Sequence, residues 1–219
     1  MAGFSAQEGG RVVLALTATI QDNKQYLSDI DGLIGDGDHG INMNKGFTLA
    51  AEAIGQEPAD LAAALKTLSQ TLMTKIGGSM GPLYGMLFRA MAKACDGKET
   101  IDADTFAAML SAALEGVQTV SQARRGDKTL MDVLIPAQEA FVNAHADGNS
   151  FSACLDAMTI AAEQGRDATR EMASRVGRSS RLGERSRGVI DAGAASCCLI
   201  LTAMANTMKP LLDKTNECT

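Results

Sequence analysis

The sequence predicts an all-α fold, a bundle of roughly eight helices that makes residues 1–219 a single domain. Three observations predict it. Apolar residues make up 46% of the chain but aromatics only 4%, with no Trp, so the core must be built from Ala, Leu, Ile, Val and Met, a mixture that favours helices. Apolar positions recur with the helical period almost throughout. No segment alternates with β-branched enrichment as a strand would, so a sheet is not expected.

The first helix is expected over 5–29 and the second over 41–54, separated by the acidic, glycine-rich stretch 31–40. The third, 58–76, carries the stripe Leu61, Leu65, Leu68, Leu72 and Ile76, and Pro58 stands near its first turn. The fourth, 82–96, starts at Gly81-Pro82. The fifth, 103–122, follows the acidic start "IDAD" and aligns Phe106, Met109, Leu110, Ala113, Val117 and Val120. The sixth, 129–145, aligns Leu130, Val133, Leu134, Ala137 and Phe141 and ends at "HADGN". The seventh covers 151–174, and the eighth, 192–213, opens at "DAG". Glycine-rich loops at 31–40, 77–81, 124–128 and 175–193 are separated by two helices each. In an up-and-down bundle every second connection lies at the same end, so these four loops are expected to converge.

Composition removes several function classes. A net charge of −6 argues against a general nucleic-acid binder and is compatible with a protein that holds cations. Cys95, Cys154, Cys197, Cys198 and Cys218 form no C-x-x-C pair and read as reduced, mostly buried thiols. His39 and His145 are the only histidines, too few for a multi-histidine zinc site. No secretory signal opens the chain, and the apolar run at 192–205 is too short to span a bilayer. A soluble, cytoplasmic protein without nucleic-acid or membrane partners is expected.

Four motifs carry chemistry. Residues 35–40, "GDGDHG", fit G-x-G-x-x-G, and Asp60 imitates the ribose-binding acid of that motif. A dinucleotide fingerprint needs a preceding strand, whereas the text before Gly35 reads as a helix end, and aspartates between the glycines would repel a pyrophosphate. Asp31, Asp36 and Asp38 lie within eight residues and repel one another unless a cation sits between them. Counting an EF-hand from Asp36 puts Phe47 where the bidentate Glu belongs, so that template fails. Hard oxygen ligands in small number suit Mg²⁺; a solvated acidic turn is the plain alternative. "IGGSMGPLYG" at 76–85 has the grammar of an anion cradle, two glycines ending one helix and Gly81-Pro82 starting the next, with an ordinary helix–helix turn as its alternative. "RRGDKT" at 124–129 resembles the tail of a Walker A loop, but the required earlier glycine is absent and the P-loop is rejected. Arg175, Arg178, Arg181, Arg185 and Arg187 face the single acid Glu184 within residues 174–188. That basic stretch suits an anionic partner and, burying no apolar surface, is expected to be ordered by a phosphate at Arg178. Taken together, a carboxylate cluster, a glycine cradle and an arginine loop make Mg²⁺-nucleotide the economical ligand.

The blocks "DGLIGDGDHGINMNKGF", "GGSMGPLYG", "GDKTLMDVLIPA", "GR" at 177–178, "LGERS" and "DAGAAS" stand in the order found in the L-subunit family of dihydroxyacetone kinases, and the chain resembles that family over nearly its whole length. The resemblance implies a closed barrel of about eight antiparallel helices with ADP or ATP held in loops at one end. It implies that Asp31, Asp36 and Asp38 hold two Mg²⁺ ions bridging the phosphates. It places His39, Gly40, Ile41, Asn42, Ser79 and Met80 against nucleotide, Leu130 on the base, and Arg178, Asp191, Ala192 and Gly193 around the rest of the pocket. It further implies phosphoryl transfer to a short ketose held on a separate K subunit, so that this chain has no general base of its own and is active only with that partner. A phosphotransferase-system donor that rephosphorylates bound ADP, and a homodimer, are further partners compatible with the family.

Three positions depart from the family pattern. Met80 stands where Ser is usual, so the hydroxyl contact of that turn is either absent or supplied by Ser79. Arg181 stands where Tyr is common, and Ala192 where Pro is common. A kinase subunit for a related ketose such as erythrulose, and a nucleotide-state sensor that binds a transcription regulator, are the alternative functions.

Overall fold

A computed structural model describes residues 3–55 and 60–216, apart from the side chains of 213–216. Pro58, expected to open the third helix, lies outside the described residues. There the helix α4 (Leu61–Lys75) begins at Asp60, whose Oδ1 accepts the Ala63 N–H at 2.8 Å. Asp60 is thus a helix cap rather than a ribose-binding acid.

Among the described residues nine α-helices form: α1 (Gly10–Asp22), α2 (Lys24–Ile34), α3 (His39–Ile54), α4, α5 (Met80–Cys95), α6 (Ala103–Gln118), α7 (Met131–Ala146), α8 (Phe151–Ala168) and α9 (Ala192–Asn216). The helix expected over 5–29 is in fact two. Asn23 takes φ −102°, ψ 8°, and its side-chain amide donates to the Thr19 carbonyl at 2.8 Å, the local competition that interrupts a helix. α2 then runs to Ile34, which puts Asp31 in a helical turn rather than in the loop. The first residues form a strand, β1 (Gly3–Ser5), which pairs antiparallel with β2 (Thr100–Asp102) in the register Phe4↔Ile101. The absence of any sheet was therefore overstated, by six residues.

From α3 to α9 each helix packs on the next, and α9 returns to pack on α1, which packs on α3 and α4. The helices close a ring, with α2 set against α3 and α9. All five members of the α4 stripe are buried, as are Phe106, Met109, Leu110, Ala113 and Val117 on α6 and Leu130 to Phe141 around α7. Val120 departs from the stripe: α6 ends at Gln118, and Val120 stands 45% exposed. Phe106, Phe141 and Phe151 pack with ring centroids 5.1–5.8 Å apart and fill one end of the ring. Phe47, Phe88 and Tyr84 form a second cluster. Cys95, Cys154, Cys197 and Cys198 are free and buried.

The apolar stretch of the last helix is longer than the run at 192–205. Ala192–Leu212 is long and apolar enough to cross a membrane by length and composition, and 67% of its most apolar window is buried within the ring.

Gly165 shows how closely neighbouring helices approach. A Cβ at this position of α8 would stand 2.2 Å from the Asp132 carbonyl oxygen on α7, a contact with main chain that no side-chain rotation relieves. Alanine is favoured over glycine in a helix by about 1 kcal/mol, but overpacking costs about 1–3 kcal/mol or more. Gly165→Ala is therefore expected to lower stability in denaturant titrations, and an unchanged or raised midpoint would show that α7 and α8 have room to separate.

Candidate functional site

Closing the ring with alternating helix directions brings the starts of α3, α5, α7 and α9 to one end. His39, Met80, Met131 and Ala192, the first residues of these helices, all line one cavity of about 920 Å³. Residues from all four glycine-rich loops meet there, as the two-helix spacing predicts. Each helix start leaves unpaired backbone N–H groups and a partial positive charge.

Asp31, Asp36 and Asp38 stand on one side of this cavity, each offering a carboxylate oxygen within 4.8 Å of the others. Asp31 Oδ2 also accepts the His39 N–H at 3.2 Å, which ties the end of α2 to the start of α3. The cluster attracts a cation from within the protein: the Arg178 guanidinium contacts Asp36 Oδ2, and its Nη1 lies 3.8 Å from Asp38 Oδ2. Mutually repelling carboxylates thus meet a positive charge at the point where a divalent cation would be held, and a donor set made only of hard oxygens fits Mg²⁺.

The start of α5 lines the same cavity through Gly77, Gly78, Ser79 and Met80. Gly77 and Gly78 are exposed, Gly78 at φ +72°, and a Cβ on either would meet nothing within 4 Å. Ser79 makes no side-chain cap, so the first N–H groups of α5 face the cavity without a protein acceptor from that residue. The helix starts at Met80, two residues before Pro82. The glycine turn and the helix start expected in this stretch are both present.

The third wall is apolar: Leu130, Val120, Pro82 and Leu83. Leu130, expected on the base, is buried at the start of α7. The fourth carries Arg178, Asp191, Ala192 and Gly193. Asp191 caps α9, its Oδ2 accepting the Ala194 N–H at 2.8 Å, and burial raises its carboxyl from 3.8 to about 7. Of the expected nucleotide contacts, Asn42 also lines the cavity, whereas Gly40 and Ile41 do not. Gly40 is pressed on α2, where a Cβ would stand 2.0 Å from the Lys24 carbonyl oxygen, and Ile41 turns outward, 53% exposed. Both follow from α3 starting at His39, two residues earlier than expected.

His39 is bound into the scaffold. Its Nε2 lies 2.8 Å from Ser196 Oγ, which lies 2.6 Å from the Tyr84 hydroxyl, and that hydroxyl donates to the Gly193 carbonyl at 3.1 Å. This chain joins the starts of α3 and α9 to α5. Burial pushes His39 down to about 4, against the attraction of Asp31, so the ring is neutral near pH 7. Tyr84 and Ser196 sit inside "GGSMGPLYG" and "DAGAAS", but nothing local signals that they meet.

Lys128 is the other residue whose role was missed. The sequence around it fails as a P-loop and assigns Lys128 no task, yet its ammonium is buried and donates to the backbone carbonyls of Thr169, Met172, Ser186 and Val189. Within the stretch expected to be ordered by a phosphate at Arg178, Arg178–Ser186 forms a 3-10 segment kinked at Gly183. Arg187 pairs with Glu184 at 2.5 Å and Arg175 lies 3.9 Å from Asp127.

Comparison with known proteins gives one consistent result. A family model described as the DAK2 domain matches residues 33–206. The chain is 41% identical over 189 residues to the ADP-binding subunit DhaL of PEP-dependent dihydroxyacetone kinase 1 of Listeria innocua, covering 86% of this chain and 89% of that one. It is 35% identical to the corresponding ADP-binding subunit of Escherichia coli K12, covering 84% and 89%. It is also 31% identical to the D-erythrulose kinase of Mycolicibacterium smegmatis, covering 88% of this chain but 34% of that larger one. Among solved structures, the dihydroxyacetone kinase from C. freundii in complex with AMP-PNP and Mg²⁺ superimposes with a TM-score of 0.68 at 22% identity, over 90% of this chain and 33% of that one. At that identity the likeness concerns the fold.

The half-buried carboxyl at Asp191 has a pH signature. Its folded pKa, about 7, lies above the ordinary 3.8, so the folded state binds more protons than the unfolded state between these values. The contribution of Asp191 to stability is present below about 3.8 and is lost as pH rises through about 7. Asp191→Asn keeps an oxygen to cap α9 and does not titrate. The stability of the ligand-free variant relative to wild type, measured by denaturant titration, should therefore rise from pH 4 to 7 and level off above. A difference that does not vary over this window would show that Asp191 is solvated.

Proposed function

This chain belongs to the dihydroxyacetone kinase L-subunit family, and from that premise we propose that it is the ADP- or ATP-binding subunit of a ketose kinase. In this reading it passes a phosphoryl group to a short ketose held on a separate K subunit. The observation that carries the reading is the cavity itself, where four helix starts and three clustered carboxylates face one space of nucleotide size. The names of the ADP-binding relatives support the nucleotide, and their description as subunits supports the partner. The erythrulose kinase relative leaves dihydroxyacetone and erythrulose as the candidate ketoses, a choice that lies with the subunit holding the acceptor.

Each wall has a task. The start of α5 offers N–H groups to phosphate oxygens, and Ser79 and Asn42 add polar side chains beside them. Leu130, Val120 and Pro82 form the apolar wall for the base. Asp31, Asp36 and Asp38 would hold two Mg²⁺, and Arg178 stands at the same place with a fork that suits phosphate. When bound, Mg²⁺ neutralises phosphate charge and aligns the transferred group. Among the described residues the two candidates for taking the proton from the acceptor hydroxyl are already engaged: His39 with Ser196, held neutral by burial, and Asp191 with the Ala194 N–H at the start of α9. Deprotonation of the ketose is accordingly assigned to the K subunit. Rephosphorylation of bound ADP by a phosphotransferase-system donor would use the open mouth of the same cavity.

Two measurements test this. ADP with Mg²⁺ should raise the melting temperature, by about 5–11 °C once ligand exceeds its Kd about a hundredfold, since such an excess stabilises the folded state by about 2.7 kcal/mol. EDTA or Asp38→Asn should abolish the rise, and an equal rise with EDTA present would refute the metal bridge. The purified chain should not phosphorylate dihydroxyacetone until a cognate K subunit is added; turnover by this chain alone would refute the division of labour.

A further inference from the structure

Lys128 is the only lysine buried among the described residues, and the only non-glycine residue among them with positive φ, at +61°. That conformation is uncommon for a side chain with a Cβ and here turns the ammonium inward. It donates to Thr169 O at 2.8 Å, Met172 O at 3.2 Å, Ser186 O at 2.8 Å and Val189 O at 2.6 Å. An ammonium has three protons, so four carbonyls already exceed its capacity and none is left for a phosphate. This separates Lys128 from the Walker lysine that its motif suggests.

The four acceptors lie on both strands of a loop stem. Thr169 and Met172 precede the loop 175–185, while Ser186 and Val189 follow it. Two further bonds close the same stem: Ser174 N–H to Ser186 Oγ at 2.8 Å and Gly188 N–H to the Arg170 carbonyl at 2.8 Å. Within the loop, Ser174 Oγ lies 2.6 Å from Ser179 Oγ, beside Arg178. From this stem the loop reaches across to Asp36 and Asp38 through Arg178 alone.

We propose that Lys128 is a positioning residue for nucleotide: its ammonium clips the stem of the 175–185 loop and thereby sets where Arg178 stands. The part that concerns nucleotide rests on the function proposed above; the clip itself does not. A compact, nearly spherical ammonium suits four converging carbonyls, as a planar guanidinium would not. Without it, four main-chain acceptors lose a charged donor, and the stem opens.

Limited trypsin digestion of the full chain tests the clip without nucleotide. In ligand-free Lys128→Met, cutting within Arg175–Arg187 should be about tenfold faster than in wild type, the change expected from losing hydrogen bonds to a charged group when cleavage follows the open population. Cutting at Arg89 on α5, which reports general unfolding, should keep its wild-type rate. The Kd for Mg²⁺-ADP should rise about tenfold by the same amount of lost positioning. In Lys128→Ala, ethylammonium chloride should slow cutting in the loop, and sodium chloride at equal ionic strength should not. Loop cutting at the wild-type rate, or equal acceleration at Arg89, overturns the proposal. Should Lys128→Met not fold, Lys128→Arg carries the test: it keeps the charge without the compact shape, and wild-type loop cutting there overturns the proposal as well. If Mg²⁺-ADP neither stabilises nor protects the wild-type protein, the nucleotide reading fails, while the ligand-free digests still decide the clip.

Discussion

The constraint on which the site depends is that four helices of one closed ring begin at the same end. Each start presents unpaired N–H groups and part of a positive charge, and crowding four of them around one cavity makes that end of the ring electropositive. The chain offsets three with its own carboxylates. Asp31 accepts from the start of α3; Asp132 accepts from Gly126 and Thr129 just before α7; Asp191 caps α9. The start of α5 receives no such side chain, since Ser79 makes no cap bond and the residues before it are glycines. The start of α5 and the acidic cluster line the same cavity.

The carboxylates raise an opposite problem. Asp31, Asp36 and Asp38 are closer together than three like charges tolerate, and the protein meets this with Arg178, delivered by a loop far along the chain. The same guanidinium is thus a counter-ion for the carboxylates and a ready partner for a phosphate. Its placement depends in turn on a second buried cation, Lys128, which contacts no carboxylate and works entirely through main-chain carbonyls. Burial lowers the Lys128 pKa, opposed by the nearby charge of Asp191, so the charges of the site are coupled to one another as well as to any ligand.

Below this polar end, the ring is ordinary helix packing. Close glycine contacts set the distances between helices, and the Tyr84–Ser196–His39 chain joins the apolar core to the site. One hydroxyl on α9 reaches both the start of α3 through His39 and α5 through Tyr84. The geometry of the cavity is therefore inherited from the packed helices of the fold.

By itself the sequence determined the helical class, most of the buried stripes, the convergence of four loops and the aspartate cluster. These rest on local periodicity and on residue chemistry within a few positions, which a single chain displays directly. Its misreadings were also local in kind: the break at Asn23, the start of α3 two residues before the expected one, and Val120, whose apolar spacing outlasts its helix. Only the tertiary structure decided that Lys128 serves carbonyls 41 to 61 residues away, that Ser196 joins Tyr84 and His39 across 112 and 157 residues, and that Arg178 rests on Asp36. A lysine or a serine carries no mark of its partner in its neighbours. The partner is set by which helix ends the closed ring brings together, and that is a property of packing rather than of spacing.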